Sequence, residues 1–238
     1  MTQKIRNNLH FHFGLFYIGL FVRFFWRLQG TCHPVTHDIY ATDFNAHVMR
    51  MDTSGNASVI FEDPGQSPLS GIALSPDRKS LYICATNSGT IIKTGVDGSN
   101  PQIFCSGIGT PRSIIFDQNG KMFVSGYPYA VYSVSMDGQK SPAVNAPNFK
   151  GWEIVRDSAG NFYMADYFAN HILMSDPKGV FLNVIAGSGQ AEDIDGKGLK
   201  ASFNGPRGLT IDKDGNLYVT TCNFDTRGGN KIRKITFE

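Results

Sequence analysis

Cysteine is scarce in this chain of 238 residues, and no two of Cys32, Cys84, Cys105 and Cys222 stand in a Cys-x-x-Cys spacing. A zinc knuckle or a dense disulfide framework is thereby excluded. An excess of one charge is also missing, with 22 Lys and Arg against 20 Asp and Glu, and the balance falls to −2 once residues 1–27 are set aside. A body without a positive field cannot grip a phosphate backbone along its length, so double-stranded DNA is ruled out as a partner. Long hydrophobic runs are absent too. The apolar stretch from Phe13 to Val22 is ten residues long, where a membrane span needs about 20. After residue 27 no segment carries helical periodicity, and neither a Gly-x-Ser-x-Gly elbow nor a phosphate-binding loop occurs.

Residues 1–27 form a segment of their own, holding six of the 18 Phe and four basic residues (Lys4, Arg6, Arg23, Arg27) with no acid. A positive end followed by an apolar stretch has the order of a secretory signal or anchor. That reading leans toward the secretory pathway or a membrane anchor, and confines membrane contact to this segment. The alternative is structural, because Leu9 to Phe13 alternates with period two, as a half-buried strand does.

Residues 28–238 repeat. Tyr40, Tyr82, Phe123, Tyr163 and Tyr218 anchor five similar strands at spacings of 42, 41, 40 and 55, the last enlarged by an insertion. Each anchor follows a shorter apolar strand and a turn rich in Asp, Asn and Gly, the residues that tolerate positive φ or bond their own backbone. Third and fourth strands follow in the first four repeats. Four antiparallel strands recurring at about 40 residues are the signature of a β-propeller blade. The fold expected is therefore an all-β propeller of five visible blades: 28–68, 69–110, 111–150, 151–205 and 206–238. The fifth stops after its third strand, and Leu9 to Phe13 is the unassigned stretch that could close it.

Gly187-Ser188-Gly189 through Ala201-Ser202-Phe203-Asn204-Gly205-Pro206-Arg207-Gly208-Leu209, then Asp214-Gly215-Asn216-Leu217-Tyr218-Val219 and Asn230-Lys231-Ile232-Arg233, strongly resembles an NHL repeat. The resemblance is specific over about 50 residues and looser over 28–186. It implies a propeller, usually of six blades, that binds partners.

Propeller geometry places the position just before each inner strand, and the loop between second and third strands, on one face. In this chain that face is chemically varied. It offers Arg112, Trp152, Glu153 and Arg207 around the channel mouth. The loops add Tyr127 and Tyr129, then Asp166, Tyr167 and Phe168, then Asn223, Phe224 and Arg227. Arginine and large aromatics anchor partners because they bury much area at low entropic cost. The competing reading packs the aromatics between blades, with the arginines bridging to loop acids such as Asp166 or Asp225. The expected function is a non-catalytic binding module for a protein or peptide, with single-stranded RNA as another candidate partner.

Metal chemistry fits poorly. Asp193-Ile194-Asp195-Gly196 and Asp212-Lys213-Asp214-Gly215 both look like the start of a calcium loop, yet neither has the bidentate Glu at its twelfth position. The alternative function is a metal-dependent lactone or ester hydrolase of the SMP-30 and gluconolactonase kind. Such a site needs several channel carboxylates, and Glu153 is the one acid placed near the mouth. No metal or cofactor is expected.

Overall fold

The computed structural model describes residues 3–7, 29–43, 45–128, 130–146, 149, 151–180, 182–222 and 229–237. It is a five-blade β-propeller in which every blade is a four-stranded antiparallel sheet. A short strand, β1 (Gln3–Asn7), comes first. Blade one follows with β2 (Gln29–Cys32), β3 (Ile39–Thr42), β4 (His47–Met51) and β5 (Ala57–Glu62). Blade two has β6 (Leu69–Leu74), β7 (Ser80–Ala85), β8 (Thr90–Gly95) and β9 (Gln102–Ser106). Blade three has β10 (Ile114–Phe116), β11 (Met122–Ser125), β12 (Val131–Val134) and β13 (Lys140–Val144). Blade four has β14 (Ile154–Arg156), β15 (Phe162–Asp166), β16 (His171–Ser175) and β17 (Leu182–Ala186). Blade five has β18 (Pro206–Ile211), β19 (Leu217–Cys222) and β20 (Gly229–Phe237). One 3-10 turn, Gly198–Lys200, is the helical element among the described residues.

Blade five takes its fourth strand from the other end of the chain. β1 pairs antiparallel with β20 from Gln3 opposite Phe237 to Asn7 opposite Arg233. Closure by an N-terminal strand thus follows expectation, but the strand is Gln3–Asn7 and not the alternating stretch from Leu9 to Phe13. The reason is positional. The outermost strand of a blade is an edge, where polar and basic residues are favoured over apolar alternation. Leu9 to Phe13 and the apolar run Phe13 to Val22 lie outside the described residues. Among the described residues no helix is long and apolar enough to cross a membrane.

The hairpins form where the turn chemistry directs. Asp117, Asp157 and Asp212 each accept, through Oδ1, the backbone N–H two or four residues on, at 2.8–2.9 Å. The turns between third and fourth strands have a second task. Gly98 (φ +83) of blade two lies so close to blade one that a Cβ would stand 1.8 Å from the Ile60 carbonyl oxygen. Gly138 (φ +83) of blade three meets the Phe104 carbonyl of blade two at 2.2 Å by the same measure. Only glycine meets both demands, a left-handed backbone and direct contact with the neighbouring outer strand.

The chain divides into two compact units. One gathers the described residues of Met1–His10, Pro128–Val131 and Pro142–Glu238, and the other those of Phe11–Tyr127 and Tyr132–Ser141. The first has a core of Tyr163, Ile172, Phe203, Leu209, Leu217, Val219 and Ile235, all buried. The second is built on Tyr40, Val48, Leu69, Leu81, Ile83 and Ile92. Within the second unit the seams between inner strands are polar. Ser70 Oγ and Thr86 Oγ1 lie 2.9 Å apart, and both donate to the Pro111 carbonyl at 3.0 and 3.1 Å.

Candidate functional site: an arginine and aromatic cluster on blades four and five

Trp152 stands just before β14, its backbone N–H donating to the Ala165 carbonyl at 3.2 Å. Arg207 lies near the start of β18, the inner strand of the next blade. The Arg207 guanidinium carbon sits 4.0 Å from the centroid of the Trp152 ring. A cation over an indole face at that distance is worth about 0.5–2 kcal/mol. The row continues outward along the loop after β15. Trp152 meets Tyr167 edge-on at 6.4 Å, and Tyr167 meets Phe168 edge-on at 5.0 Å. Burial falls along it: Trp152 is 9 % exposed and Phe168 65 %.

The cluster therefore combines the two readings open at the level of sequence. Trp152 packs as a buried platform, whereas Phe168 presents a large apolar ring to solvent. Asp166 is buried, and its Oδ1 accepts the Ala169 N–H at 3.1 Å, which shapes the loop carrying Tyr167 and Phe168. Glu153 is half-buried, its carbonyl accepting the Ala165 N–H at 3.1 Å. Arg112 and Tyr127 belong to the other unit. There Arg112 donates its backbone N–H to the Ser125 carbonyl at 3.2 Å. Tyr127 exchanges two backbone hydrogen bonds with Gly109 and exposes 63 % of its surface. Tyr129, Asn223, Phe224 and Arg227 lie outside the described residues.

A residue not singled out from the sequence governs the neighbouring insertion. Arg233, on β20, is fully buried. Its Nη2 donates to Asp195 Oδ1 at 2.6 Å and to the Ile194 carbonyl at 2.8 Å, and its Nη1 reaches the Ser202 carbonyl. Asp193 Oδ1 stands 3.6 Å from Nη1, and the guanidinium lies 5.0 Å from the Phe203 ring centroid. The carboxylates of the Asp193-Ile194-Asp195-Gly196 stretch are thus engaged by an internal cation. Asp212, in the other Asp-Gly segment, is a turn residue that also accepts the Asn216 amide at 2.9 Å and the Tyr218 hydroxyl at 3.2 Å. Among the described residues no three His, Cys, Asp or Glu side chains converge as metal ligands would. The signal for Arg233 was its register: in a period-two strand it shares a face with Ile235, which is also fully buried.

Asn170 is a second long-range clamp. From the turn between β15 and β16 it spans the insertion, donating from Nδ2 to the Gly189 carbonyl at 3.2 Å and accepting the Gly205 N–H at 3.0 Å.

No protein-family model matches the chain, and no curated protein matches it in sequence. Solved structures do resemble it. A structural-genomics protein of unknown function from Bacteroides thetaiotaomicron superposes with a TM-score of 0.70 at 20 % identity, over 88 % of this chain and 58 % of that one. A catalytically inactive virginiamycin B lyase from Staphylococcus aureus, solved with quinupristin, gives 0.62 at 16 % identity, over 88 % and 65 %. A putative gluconolactonase gives 0.63 at 13 % identity, over 87 % and 73 %. These likenesses establish the propeller fold. The chain spans 58 % of the first of these proteins and 65 % of the second.

Proposed function

We propose that this propeller is a non-catalytic binding module of the NHL-repeat kind, holding a protein or peptide on the face that carries Arg207, Trp152, Tyr167 and Phe168. The observation that carries this reading is the pairing of an oriented cation with an exposed apolar ring. The Arg207 guanidinium carbon sits over the Trp152 ring at 4.0 Å, while Phe168, two aromatic contacts away, is 65 % exposed. A rigid guanidinium suits a carboxylate or a peptide carbonyl, and an exposed phenyl ring suits an apolar side chain beside it. Glu153 and Asp166, of the same unit, are assigned to this face on the blade pattern.

The test is partner capture from cell extract with the whole chain, followed by titration of the identified partner. Phe168→Ala and Arg207→Ala are each expected to weaken binding by about 1–3 kcal/mol while unfolding stays cooperative. Undiminished affinity in both variants refutes the assignment of the face. RNA as the captured species would redirect the partner class. Lactone turnover by a preparation containing stoichiometric divalent metal would favour the hydrolase reading instead.

A further inference from the structure

The repeat supplies its own internal comparison. In blades four and five the anchor tyrosine donates its hydroxyl to a carboxylate six residues earlier, Tyr163 to Asp157 and Tyr218 to Asp212, both at 3.2 Å. Blade three has Asp117 at that place relative to Phe123. In blade one the carboxylate stands two residues before the anchor. There Asp38, buried, accepts from Arg50 Nη2 at 2.9 Å, and Arg50 is the residue directly across the strand pair from Tyr40. Blade two has neither, because Pro76 occupies the first place and Ser80 the second. The cation is nevertheless kept. Lys93 lies across from Tyr82 as Arg50 does from Tyr40, with its Nζ 5.6 Å from the Tyr82 ring centroid.

An open cleft of about 540 Å³ lies at this place, with Arg78, Lys79, Lys93, Ser80 and Asn100 in its walls. Among the described residues none of its three cations is held in an ion pair. Asp97 is the acid in the lining, and its Oδ1 is already engaged by the Ser99 N–H at 3.0 Å and the Ser99 hydroxyl at 2.6 Å. Asp77, on the adjoining turn and within the field of Lys79 and Lys93, is likewise engaged by Ser75 Oγ at 2.5 Å and the Lys79 N–H at 3.1 Å. Arg78 and Asn100 hold left-handed backbones, φ +64 and +50, at the two turns that flank the cleft.

We propose that the blade-two cleft binds an organic carboxylate, which takes the place that the Asp38 side chain fills in blade one and pairs with Lys93. Arg78 and Lys79 add charge, and the Ser80 hydroxyl adds a donor beside it. This site belongs to the unit that does not contain the Arg207 cluster, so it stands independently of the binding-module reading.

The test titrates the full chain with citrate by calorimetry at an ionic strength held constant with NaCl, with inorganic phosphate as the second arm. The native chain is expected to bind citrate saturably. Lys93→Met keeps the stem over Tyr82 and removes the charge, and weakens citrate by about tenfold or more. Ser80→Asp installs the carboxylate that blade one has, and abolishes citrate binding without lowering the melting temperature. Citrate heats no larger than those of the chloride control, or equal affinity in the native chain and Lys93→Met, overturn the proposal. Phosphate bound in preference to citrate overturns the carboxylate assignment. If Ser80→Asp does not fold, Lys93→Met decides alone.

Discussion

Replacing Arg233 with Met removes a buried cation from a site built around it. The guanidinium is fully buried and serves Asp195, two backbone carbonyls and the nearby Asp193. Met fills part of the volume and takes a donor from the carbonyls of Ser202 and Ile194, the second of which keeps the Ser202 N–H at 3.0 Å. Asp193, whose side chain is 7 % exposed, then becomes an uncompensated buried charge, whereas Asp195, at 36 %, can turn toward water. Breaking a buried pair on one side costs about 3–5 kcal/mol, and the exposure of Asp195 reduces the expectation to about 2–4 kcal/mol. For a chain of this length each kcal/mol moves the melting temperature by about 2–4 °C, so a fall of roughly 5–15 °C is expected. Thermal unfolding followed by circular dichroism measures it. Trypsin gives a local readout, since Lys197 and Lys200 lie in the segment that Arg233 pins. Cleavage there is expected to accelerate before global unfolding. The triple variant Arg233→Met, Asp193→Asn, Asp195→Asn removes the stranded charges and is expected to recover much of the loss. A melting temperature within about 2 °C of the native chain, with unchanged tryptic cleavage, would refute this account of the clamp.

Gly98→Ala and Gly138→Ala force a Cβ onto a neighbouring backbone carbonyl at positive φ, and each is expected to cost about 1–3 kcal/mol in denaturant unfolding, against near neutrality at an unconstrained turn. Deleting residues 1–7 uncovers the outer edge of β20 and is expected to lower the melting temperature by several degrees and promote self-association, checked by light scattering. Acid sensitivity is expected as well. The Thr36 hydroxyl and the Arg50 guanidinium hold the Asp38 carboxyl below its ordinary range. Hydrogen bonds from Asn56, Ser99, Ser135 and Asn216 do the same for Asp52, Asp97, Asp137 and Asp212. A carboxyl with a depressed folded pKa contributes stability above its unfolded value, so melting temperatures should be flat from about pH 5 to 7 and fall below about pH 4. Tyr163 is the opposite case. Burial, then the charge of Asp157, pushes its hydroxyl up to about 12, so its stabilising contribution is lost as pH rises above about 10, read by ultraviolet titration of tyrosinate.

The blade plan was legible in the sequence because one physical requirement recurs in it. In blades three, four and five an Asp stands six residues and a Gly three residues before the aromatic anchor, and four of the five anchors, Tyr40, Tyr82, Phe123 and Tyr163, are buried in the structure. The closing strand was misplaced because alternation reports a half-buried face, while Gln-Lys-Ile-Arg-Asn at the rim of a blade need not alternate to pair by backbone. The clamps were missed for a different reason. Arg233 joins residues 31 to 39 positions earlier, and Asn170 joins residues 19 and 35 positions later. No local pattern encodes partners at that separation. That Trp152 is buried and Phe168 faces solvent was not legible either, because it depends on how neighbouring side chains pack in three dimensions.

The insertion and that face are mechanically linked. Residues 187–205 lead directly into β18, which carries Arg207, and the end of the insertion is fixed by Asn170 at Gly205 and by the Cys222 N–H, which donates to the Gly205 carbonyl at 3.0 Å. Farther back, Arg233 holds Ile194, Asp195 and Ser202 to β20. The guanidinium of Arg207 is therefore aimed from a backbone tied at both ends of the insertion. A flexible insertion would let Arg207 leave the Trp152 ring at a cost of only about 0.5–2 kcal/mol, too little to preorganise a cation at the surface. The buried ion pairs of Arg233 are worth little as net stability. Their physical consequence lies in geometry, since they convert a 19-residue excursion between blades into a rigid lead for the one arginine in the cluster.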